Sequence, residues 1–265
     1  MEFLTDPAAL FSVKGKVAIV VGATGAFGSL AAQVLAAAGA KLVLAGGNGE
    51  NLAKVARLCQ TLGAEVVPVT RRVEGEKDAA DIVAVAVDAF DGVDILVSAA
   101  GTNDVATIDQ MSAERFRAVM DANVLGSWLI AKAVASQLIE QGRGGKIVLM
   151  SSARGVLGHP AGYSAYCASK SAIDGIVRAL GCELGKHAIS VNAIAPTVFR
   201  SALTAWMFDD SERAQIARQG LMPRLPLGRL GEPEDLAGPL LFLCAKASDF
   251  YTGHVLYADG GYTSG

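Results

Sequence analysis

The chain has few of the features that mark several functional classes. Its net charge is only −3 over 265 residues, and its lysines and arginines form no cluster, which argues against a nucleic-acid surface. No unbroken apolar run reaches the roughly 18–20 residues that a membrane span needs. Residues 1–6 contain neither the basic segment nor the apolar stretch of a signal peptide. We therefore expect a cytoplasmic protein that binds neither nucleic acid nor membrane.

Cysteine is also scarce, and its spacing indicates no metal site. The four cysteines are Cys59, Cys167, Cys182 and Cys244, and no pair has the spacing of zinc ligands. Free thiols are the expected state in a reducing cytosol. Hydrophobic residues make up 52% of the chain and charged residues 18%, so a large core can be buried. We expect a globular protein without a bound metal.

Strand patterns and helix patterns alternate along the chain. Strands are predicted at 16–21, 41–45, 65–69, 94–99, 147–151, 190–194 and 254–258, and helices at 29–38, 51–60, 78–90, 113–141, 169–178 and 233–244. There is no repeat and no low-complexity linker. This alternation predicts an α/β fold with a doubly wound, Rossmann-type parallel sheet, as a single domain over 1–265 with a short N-terminal extension at 1–14.

A glycine-rich turn follows the first predicted strand. Residues 22–28 read Gly-Ala-Thr-Gly-Ala-Phe-Gly and open a helix. Small residues at such a turn let a pyrophosphate approach the backbone N–H groups of the helix N-terminus. The alternative is a turn whose glycines serve packing alone. The position between a strand and a helix favours dinucleotide binding.

A second group of residues carries acid–base chemistry. The apolar strand at 147–151 runs into Ser151 and Ser152, and Tyr166 and Lys170 follow one helical turn apart. A phenol has a pKa near 10, and an adjacent ammonium should lower it towards the working range. A serine hydroxyl can hydrogen-bond a substrate oxygen. The alternative is an exposed Tyr-x-x-x-Lys pair that occurs by chance.

Together these residues resemble the short-chain dehydrogenase/reductase family over about 12–262. The resemblance implies that Tyr166 is the acid–base, that Ser152 steadies the substrate oxygen, and that Lys170 contacts the nicotinamide ribose and lowers the pKa of Tyr166. It also implies that Asn123 holds a water in a proton relay to the lysine. A homotetramer is the assembly that the family suggests.

The resemblance also implies a set of cofactor contacts. They are Gly22, Thr24, Gly25, Ala26, Phe27, Gly28, Gly46, Gly47, Asn48, Arg72, Val73, Ala99, Ala100, Gly101, Tyr166, Lys170, Pro196, Thr197, Phe199 and Ser201. The chain departs from the family pattern at Ala26, where a glycine is usual, and at Ser98, where an asparagine is usual. Arg72 stands where an aspartate often contacts the adenine. The segment at about 197–225 matches the family's mobile substrate lid.

The end of the second strand bears on the choice between NAD and NADP. An aspartate usually stands there in NAD enzymes, whereas this chain reads Ala-Gly-Gly-Asn at 45–48. Arg71 and Arg72 end the next strand and can supply the cation that a 2′-phosphate needs. The alternative is that both arginines lie in a solvated loop. We expect NADP or NAD, with NADP favoured.

The substrate side is less constrained by the sequence. Arg154, His159 and Trp206 are expected to line it, and Arg154 and Arg200 are candidates to bind an anionic or polyhydroxylated substrate. The alternatives without a role in substrate binding are that Arg154 faces solvent, that Arg200 anchors the lid and that His159 is a loop residue. The resemblance, which is to sugar-acid and polyol dehydrogenases such as gluconate 5-dehydrogenase-like members, implies interconversion of a secondary alcohol and a ketone on a small polar substrate such as a sugar acid, polyol or hydroxy acid.

Two other functions compete with this one. The altered glycine turn and Ser98 would suit a dinucleotide-binding sensor or scaffold of weak activity, although the complete Ser–Tyr–Lys–Asn set argues against it. An epimerase or dehydratase would usually need a longer chain with a separate substrate domain.

Overall fold

The computed structural model describes residues 4–201 and 204–264. Its seven strands form one parallel sheet in the order β3-β2-β1-β4-β5-β6-β7. The strands are β1 (Val17–Val21), β2 (Lys41–Gly46), β3 (Val66–Thr70), β4 (Ile95–Ser98), β5 (Gly145–Met150), β6 (Ile189–Pro196) and β7 (Val255–Ala258). The strand order reverses between β1 and β4, and ligands bind at such a reversal beside the carboxyl ends of the strands. The single-domain Rossmann-type fold is therefore confirmed.

The described residues contain eight α-helices, six of which cover the two faces of the sheet. They are α1 (Ala26–Ala37), α2 (Gly49–Thr61), α3 (Glu76–Phe90), α4 (Ala113–Met120), α5 (Gly126–Gln141), α6 (Ser164–Leu184), α7 (Glu212–Leu221) and α8 (Glu234–Cys244). Helices α3, α5 and α6 pack on one face, and α1, α2 and α8 pack on the other. All five residues of β1 are buried, as expected for a central strand that helices cover on both faces.

The predicted helix at 113–141 is interrupted. Between α4 and α5 lies a π-helical turn, Asp121–Leu125, in which the Gly126 N–H bonds to the Asp121 carbonyl oxygen. Over its whole length, Ala113–Gln141, this helical stretch is long and apolar enough to resemble a membrane span, but half of its apolar window is buried within the fold. Its hydrophobicity is therefore explained by packing against the sheet and α3.

Other segments differ from the predicted pattern. Helix α6 begins at Ser164 and ends at Leu184, so it exceeds the predicted 169–178 at both ends. Helix α7 was not predicted, because its residues are mostly polar and only Ala214 is buried. In the expected N-terminal extension, a short 3₁₀ helix spans Pro7–Phe11, and Val13 is fully buried.

Candidate active site

The glycine turn is in close contact with the residues that follow β4. Gly22 has φ +76°, and a methyl group on it would lie 2.4 Å from the backbone nitrogen of Ala100. A methyl group on Gly28 would lie 2.1 Å from the Gly22 carbonyl oxygen. Both positions therefore require glycine, because any side chain would push α1 away from β1 and β4.

The N-terminus of α1 opens towards this turn. Gly25 is the N-cap residue, and no side chain caps the helix. Gly25 and Ala26 are exposed, while Phe27 packs partly into the core. The first backbone N–H groups of a helix lack intrahelical partners and attract anions. The turn thus fits a dinucleotide pyrophosphate, and the methyl group of Ala26 does not block the helix end.

The carboxyl end of β2 is small and uncharged. A methyl group on Gly46 would meet the Thr24 side chain at 3.2 Å, and one on Gly47 would lie 2.3 Å from Arg72 Nε. The guanidinium of Arg72 thus lies over Gly47. The side-chain oxygen of Asn48 accepts from the Asn51 N–H at 2.9 Å and caps α2. The backbone at the carboxyl end of β2 therefore leaves open space, and the Arg72 side chain lies along one side of it.

The two arginines after β3 have different partners. Arg71 pairs with Asp78 at 2.8 Å and with Asp81 at 3.4 Å. Arg72 is exposed and has no carboxylate within 4.0 Å in the part of the chain that the structure describes. Arg72 is therefore the member of the pair that is available to an anionic ligand.

The π turn between α4 and α5 brings Asn123 into the cleft. Its Oδ1 accepts from the Thr102 N–H at 2.6 Å, and its Nδ2 donates to the Thr102 carbonyl oxygen and to Ser169 Oγ, each at 2.9 Å. Asn123 is 1% exposed. A methyl group on Gly101 would lie 2.9 Å from Asn123 Oδ1 and 3.9 Å from Lys170 Nζ. Asn123, Gly101 and Lys170 therefore meet at one place.

Lys170 and Tyr166 share one face of α6. Lys170 Nζ donates to the Met150 carbonyl oxygen at 2.7 Å and lies 5.5 Å from the centre of the Tyr166 ring. Burial lowers the pKa of Lys170 to about 8, and the neighbouring Asp174 acts in the opposite direction. The structure brings the pair together, as the one-turn spacing predicts.

The electrostatics of Tyr166 differ from the expectation. Burial raises the pKa of the phenol, while hydrogen bonding with Ser152 and the charge of Arg154 act to lower it. The predicted lowering by Lys170 is wrong for this structure, because burial dominates and the ammonium donates to a backbone carbonyl. The groups that favour the phenolate here are Ser152 and Arg154.

The two serines after β5 have separate roles. Ser151 is buried and donates to Asp174 Oδ1. Ser152 Oγ accepts from the Arg154 N–H at 3.1 Å and lies 3.5 Å from the Pro196 carbonyl oxygen. Because Ser151 is already committed to Asp174, Ser152 is the serine that is free to meet a substrate oxygen.

The predicted substrate-side residues lie in three settings. Arg154 is half-buried and donates to the Gly158 carbonyl oxygen at 2.7 Å. His159 is exposed, and its ring lies 4.6 Å from that of Tyr163. Trp206 lies in a 3₁₀ turn of the expected lid, 4.1 Å from the guanidinium of Arg213.

The expected lid is held to the rest of the chain by Arg200. Its guanidinium forms a two-pronged ion pair with Glu232 and lies 4.0 Å from the centre of the Phe208 ring. This contact removes Arg200 from the candidates for binding an anionic substrate and agrees with an anchoring role. Residues 202 and 203 of the predicted lid lie outside the described residues.

The remaining predicted cofactor contacts follow β3, β4 and β6. Val73 packs against the core, and Ala99 continues from β4 with its N–H bonded to the Val21 carbonyl oxygen at 2.9 Å. Thr197 and Phe199 line a cavity of about 390 Å³ beside β7. Ser201 Oγ lies 2.8 Å from Thr204 Oγ1. These residues surround the carboxyl ends of the strands, as their positions in the sequence predict.

Sequence reasoning missed three residues near the site. Asp174 is buried one turn beyond Lys170, and its pKa is raised by burial against the opposing effect of its bond with Ser151. Tyr262 and Arg224 join Arg154 on the substrate side. Only the four-residue spacing from Lys170 to Asp174 was visible in the sequence. The other contacts depend on the tertiary fold.

Comparison with known proteins places this site in a family. A family model described as enoyl-(acyl carrier protein) reductase matches residues 22–263. Gluconate 5-dehydrogenase of Gluconobacter oxydans is 33% identical over 254 residues, which are 96% of this chain and 97% of that enzyme. The chain belongs to the short-chain dehydrogenase/reductase family. The resemblance inferred from the sequence is thus confirmed.

Other relatives are similar over nearly their whole length. An uncharacterized oxidoreductase of Mycobacterium tuberculosis is 49% identical over 97% of this chain and 94% of the relative. The crystal structure of a gluconate 5-dehydrogenase from Burkholderia cenocepacia, in complex with NADP and tartrate, has a TM-score of 0.88 at 30% identity, covering 98% of this chain and 99% of that chain. As a member of this family of NAD(P)-dependent enzymes, the chain is an oxidoreductase that acts on CH–OH groups.

Proposed function

We propose that this short-chain dehydrogenase/reductase uses NADP to interconvert a secondary alcohol and a ketone on a small polar substrate. The observation that carries the proposal is the convergence of Ser152, Tyr166 and Lys170 after the carboxyl end of β5. Several relatives are named for sugar acids or sugars, among them gluconate 5-dehydrogenase and L-rhamnose 1-dehydrogenase. The proposed substrates are a sugar acid, a polyol or a hydroxy acid.

The preference for NADP rests on the end of β2 and on Arg72. No carboxylate stands at residues 45–48 to repel a 2′-phosphate, and the Arg72 guanidinium lies over Gly47 without an acidic partner among the described residues. Two structures of relatives contain NADP. Arg72 would bind the 2′-phosphate, and the α1 N-terminus would bind the pyrophosphate.

The cofactor, when bound, supplies or receives the hydride at the substrate carbon. Tyr166 gives a proton to the carbonyl oxygen in reduction and removes it in oxidation. Ser152 donates a hydrogen bond to that oxygen and keeps it within reach of the phenol. Lys170, whose Nζ lies 5.5 Å from the centre of the Tyr166 ring, would contact the nicotinamide ribose, and buried Asn123 would hold a water in the relay that returns a proton to Tyr166.

Two experiments test the function. Titration with NADPH and with NADH, followed by nicotinamide fluorescence, is expected to show tighter binding of NADPH, and a clear preference for NADH would refute the NADP assignment. A panel of hydroxy acids, polyols and apolar ketones should then show turnover of polar substrates. Tyr166→Phe should keep cofactor affinity but lose at least ~10²-fold in rate.

The panel also separates the competing functions. Activity confined to apolar ketones would overturn the polar-substrate proposal. Tight binding of NADPH without turnover of any substrate would favour the dinucleotide-binding sensor. Near-normal turnover in Tyr166→Phe would remove that residue from the acid–base role.

We further propose that the protein assembles as a homotetramer in the cytoplasm. Several large apolar side chains of the π turn and α5 are exposed in the single chain, among them Leu125 at 44%, Trp128 at 38% and Ile139 at 40%. Burial between subunits would remove this area from water. Light scattering should give four times the 27.2 kDa chain mass, and a monomer at working concentration would contradict the proposal.

A further inference from the structure

Two arginines meet at one tyrosine on the substrate side of the cleft. Arg154 Nη2 donates to the Tyr262 hydroxyl oxygen at 3.0 Å, and its Cζ lies 5.4 Å from the centre of that ring. The Cζ of Arg224 lies 4.3 Å from the centre of the same ring. Because Tyr262 is 1% exposed, its ring is a fixed platform for both cations. We call Arg154, Arg224 and Tyr262 the arginine–tyrosine cluster.

Much of the hydrogen-bonding capacity of this cluster is unused. A guanidinium carries five N–H donors. Arg154 uses one for Tyr262 and one for the Gly158 carbonyl oxygen. Within residues 4–201 and 204–264, no carboxylate oxygen lies within 4.0 Å of either guanidinium. The cluster therefore presents two positive charges and several donors without an acidic partner from the described chain.

Arginines on either side of the lid are arranged differently. Arg200 is paired with Glu232 at 2.8 Å, and Arg229 is paired with Asp235 at 2.6 Å. In both pairs, two donors of the guanidinium contact the carboxylate. The described chain thus supplies carboxylates to Arg200 and Arg229, but none to the arginine–tyrosine cluster.

The cluster lies next to the reacting groups. Arg154 follows Ser152 by two residues, and its backbone N–H donates to Ser152 Oγ at 3.1 Å. Its positive charge also acts, against the larger effect of burial, to lower the pKa of Tyr166. A substrate whose oxygen meets Ser152 and Tyr166 would therefore extend its far end towards Arg154.

His159 lies on the same side of the cleft as the arginine–tyrosine cluster. Its ring lies 4.6 Å from that of Tyr163, which lies 6.3 Å from that of Tyr166. Partial burial and the charges of Arg154 and Arg224 lower the pKa of His159. This shift favours the neutral imidazole, which can bond a substrate hydroxyl, while the positive charge of this region belongs to the two arginines.

We propose that the arginine–tyrosine cluster binds the carboxylate of an anionic substrate, so that the enzyme selects hydroxy acids and oxo acids over neutral compounds with the same carbon skeleton. Planar guanidinium groups match a carboxylate in a two-pronged geometry. Tyr262 holds Arg154 in place through its hydroxyl group and supports Arg224 through its ring. This inference depends on the proposed function in one respect, which is that the substrate reacts at Tyr166 with the end that lies away from its carboxylate.

Binding of tartrate and of threitol tests the cluster without turnover. The two compounds differ in carrying carboxylates or hydroxymethyl groups at both ends. Calorimetry on the NADPH-loaded protein should show tartrate bound at least 10-fold more tightly than threitol. Arg154→Gln and Arg224→Gln should each weaken tartrate about 10-fold or more and leave threitol unchanged. Equal affinity for the two compounds, absence of tartrate binding, or unchanged tartrate affinity in both variants would overturn the proposal.

Two further variants separate charge recognition from support of the fold. Tyr262→Phe keeps the ring but removes the oxygen that Arg154 bonds, so it should weaken tartrate less than Arg154→Gln does. Arg57→Gln removes an exposed arginine of α2 and should change nothing. Equal loss of tartrate and threitol affinity in the arginine variants, with a lowered unfolding midpoint, would show a purely structural cluster and would overturn the proposal.

Turnover distinguishes failure of this inference from failure of the proposed function. The ketones 5-oxo-D-gluconate and L-sorbose differ only in a carboxylate or a hydroxymethyl group at one end. Reduction of both with equal kcat/KM would keep the proposed function and overturn the role of the cluster. Absence of binding to either NADPH or NADH would overturn the proposed function, whereas tartrate binding that Arg154 and Arg224 variants abolish would still support the cluster.

Discussion

Arg72→Ala is expected to remove most of the preference for NADPH. The side chain lies over Gly47 at the end of β2 and has no acidic partner among the described residues. Two unit charges 4 Å apart attract by about 1 kcal/mol in bulk water and about 4 kcal/mol near a protein surface. Because Arg72 is exposed, the lower part of this range applies. A hydrogen bond to a charged group contributes about 1.5–3 kcal/mol, so its loss in Arg72→Ala should weaken the NADPH complex roughly 10–100-fold.

The matched variant is Arg71→Ala. Arg71 is engaged by Asp78 and Asp81 at the surface, so its loss should change stability little and leave the ratio of the two cofactor affinities unchanged. Dissociation constants for NADPH and NADH should be measured by nicotinamide fluorescence at two salt concentrations, since the Arg72 contribution is expected to shrink with salt. Equal weakening of NADH and NADPH in Arg72→Ala, or a changed ratio in Arg71→Ala, would refute the assignment.

Three other predictions follow from local geometry. Ser152→Ala should lower kcat/KM roughly 10²-fold or more, whereas Ser151→Ala should remove one of the donors to buried Asp174 and cost about 1–3 kcal/mol in urea unfolding; similar rates for both variants would contradict this division. Gly28→Ala should abolish NADPH binding or destabilise the fold by about 1–3 kcal/mol, because the added methyl group would contact the Gly22 carbonyl oxygen. Gly25 is exposed, and a methyl group there would lie 3.3 Å from the same atom, so Gly25→Ala should change stability only slightly. Equal unfolding midpoints for the two variants would speak against the turn geometry. The pKa of Lys170 is lowered to about 8, so between pH 8 and about 10.5 the unfolded chain binds more protons than the folded one. Stability should therefore rise with pH across that window more steeply in wild type than in Lys170→Met, and parallel curves would disprove the shift.

The central strands of the sheet were predictable because they are buried on both faces. An unbroken apolar run such as Val17–Val21 has one stable location, the centre of a covered parallel sheet. The ends of helices were less predictable. Helix α1 begins at Ala26 rather than at 29, because the residues of the glycine turn are small and show no apolar periodicity. Helix α7 escaped prediction because packing, rather than an apolar face, fixes it: Arg218 donates to the carbonyl oxygens of Met207 and Asp209.

The contacts of the candidate site likewise differ in how far the sequence predicts them. Tyr166 and Lys170 are one turn apart on a helix, so their proximity follows from local geometry alone. The bond between Arg154 and Tyr262 joins residues 108 positions apart, and no local pattern indicates it. The pKa of Tyr166 also depends on burial, which the sequence does not give, and that is why its predicted direction was wrong.

The π turn places one residue more between α4 and α5 than a regular helix would hold. A wide turn of this kind takes up the extra residue locally, and the side chain of Asn123 within it meets Thr102 and Ser169. Deletion of one residue within Asp121–Leu125 would restore regular winding and draw Asn123 away from these two partners, although every other catalytic side chain would remain in the sequence. A single deletion there would thus disconnect one polar contact of the site without removing any functional group.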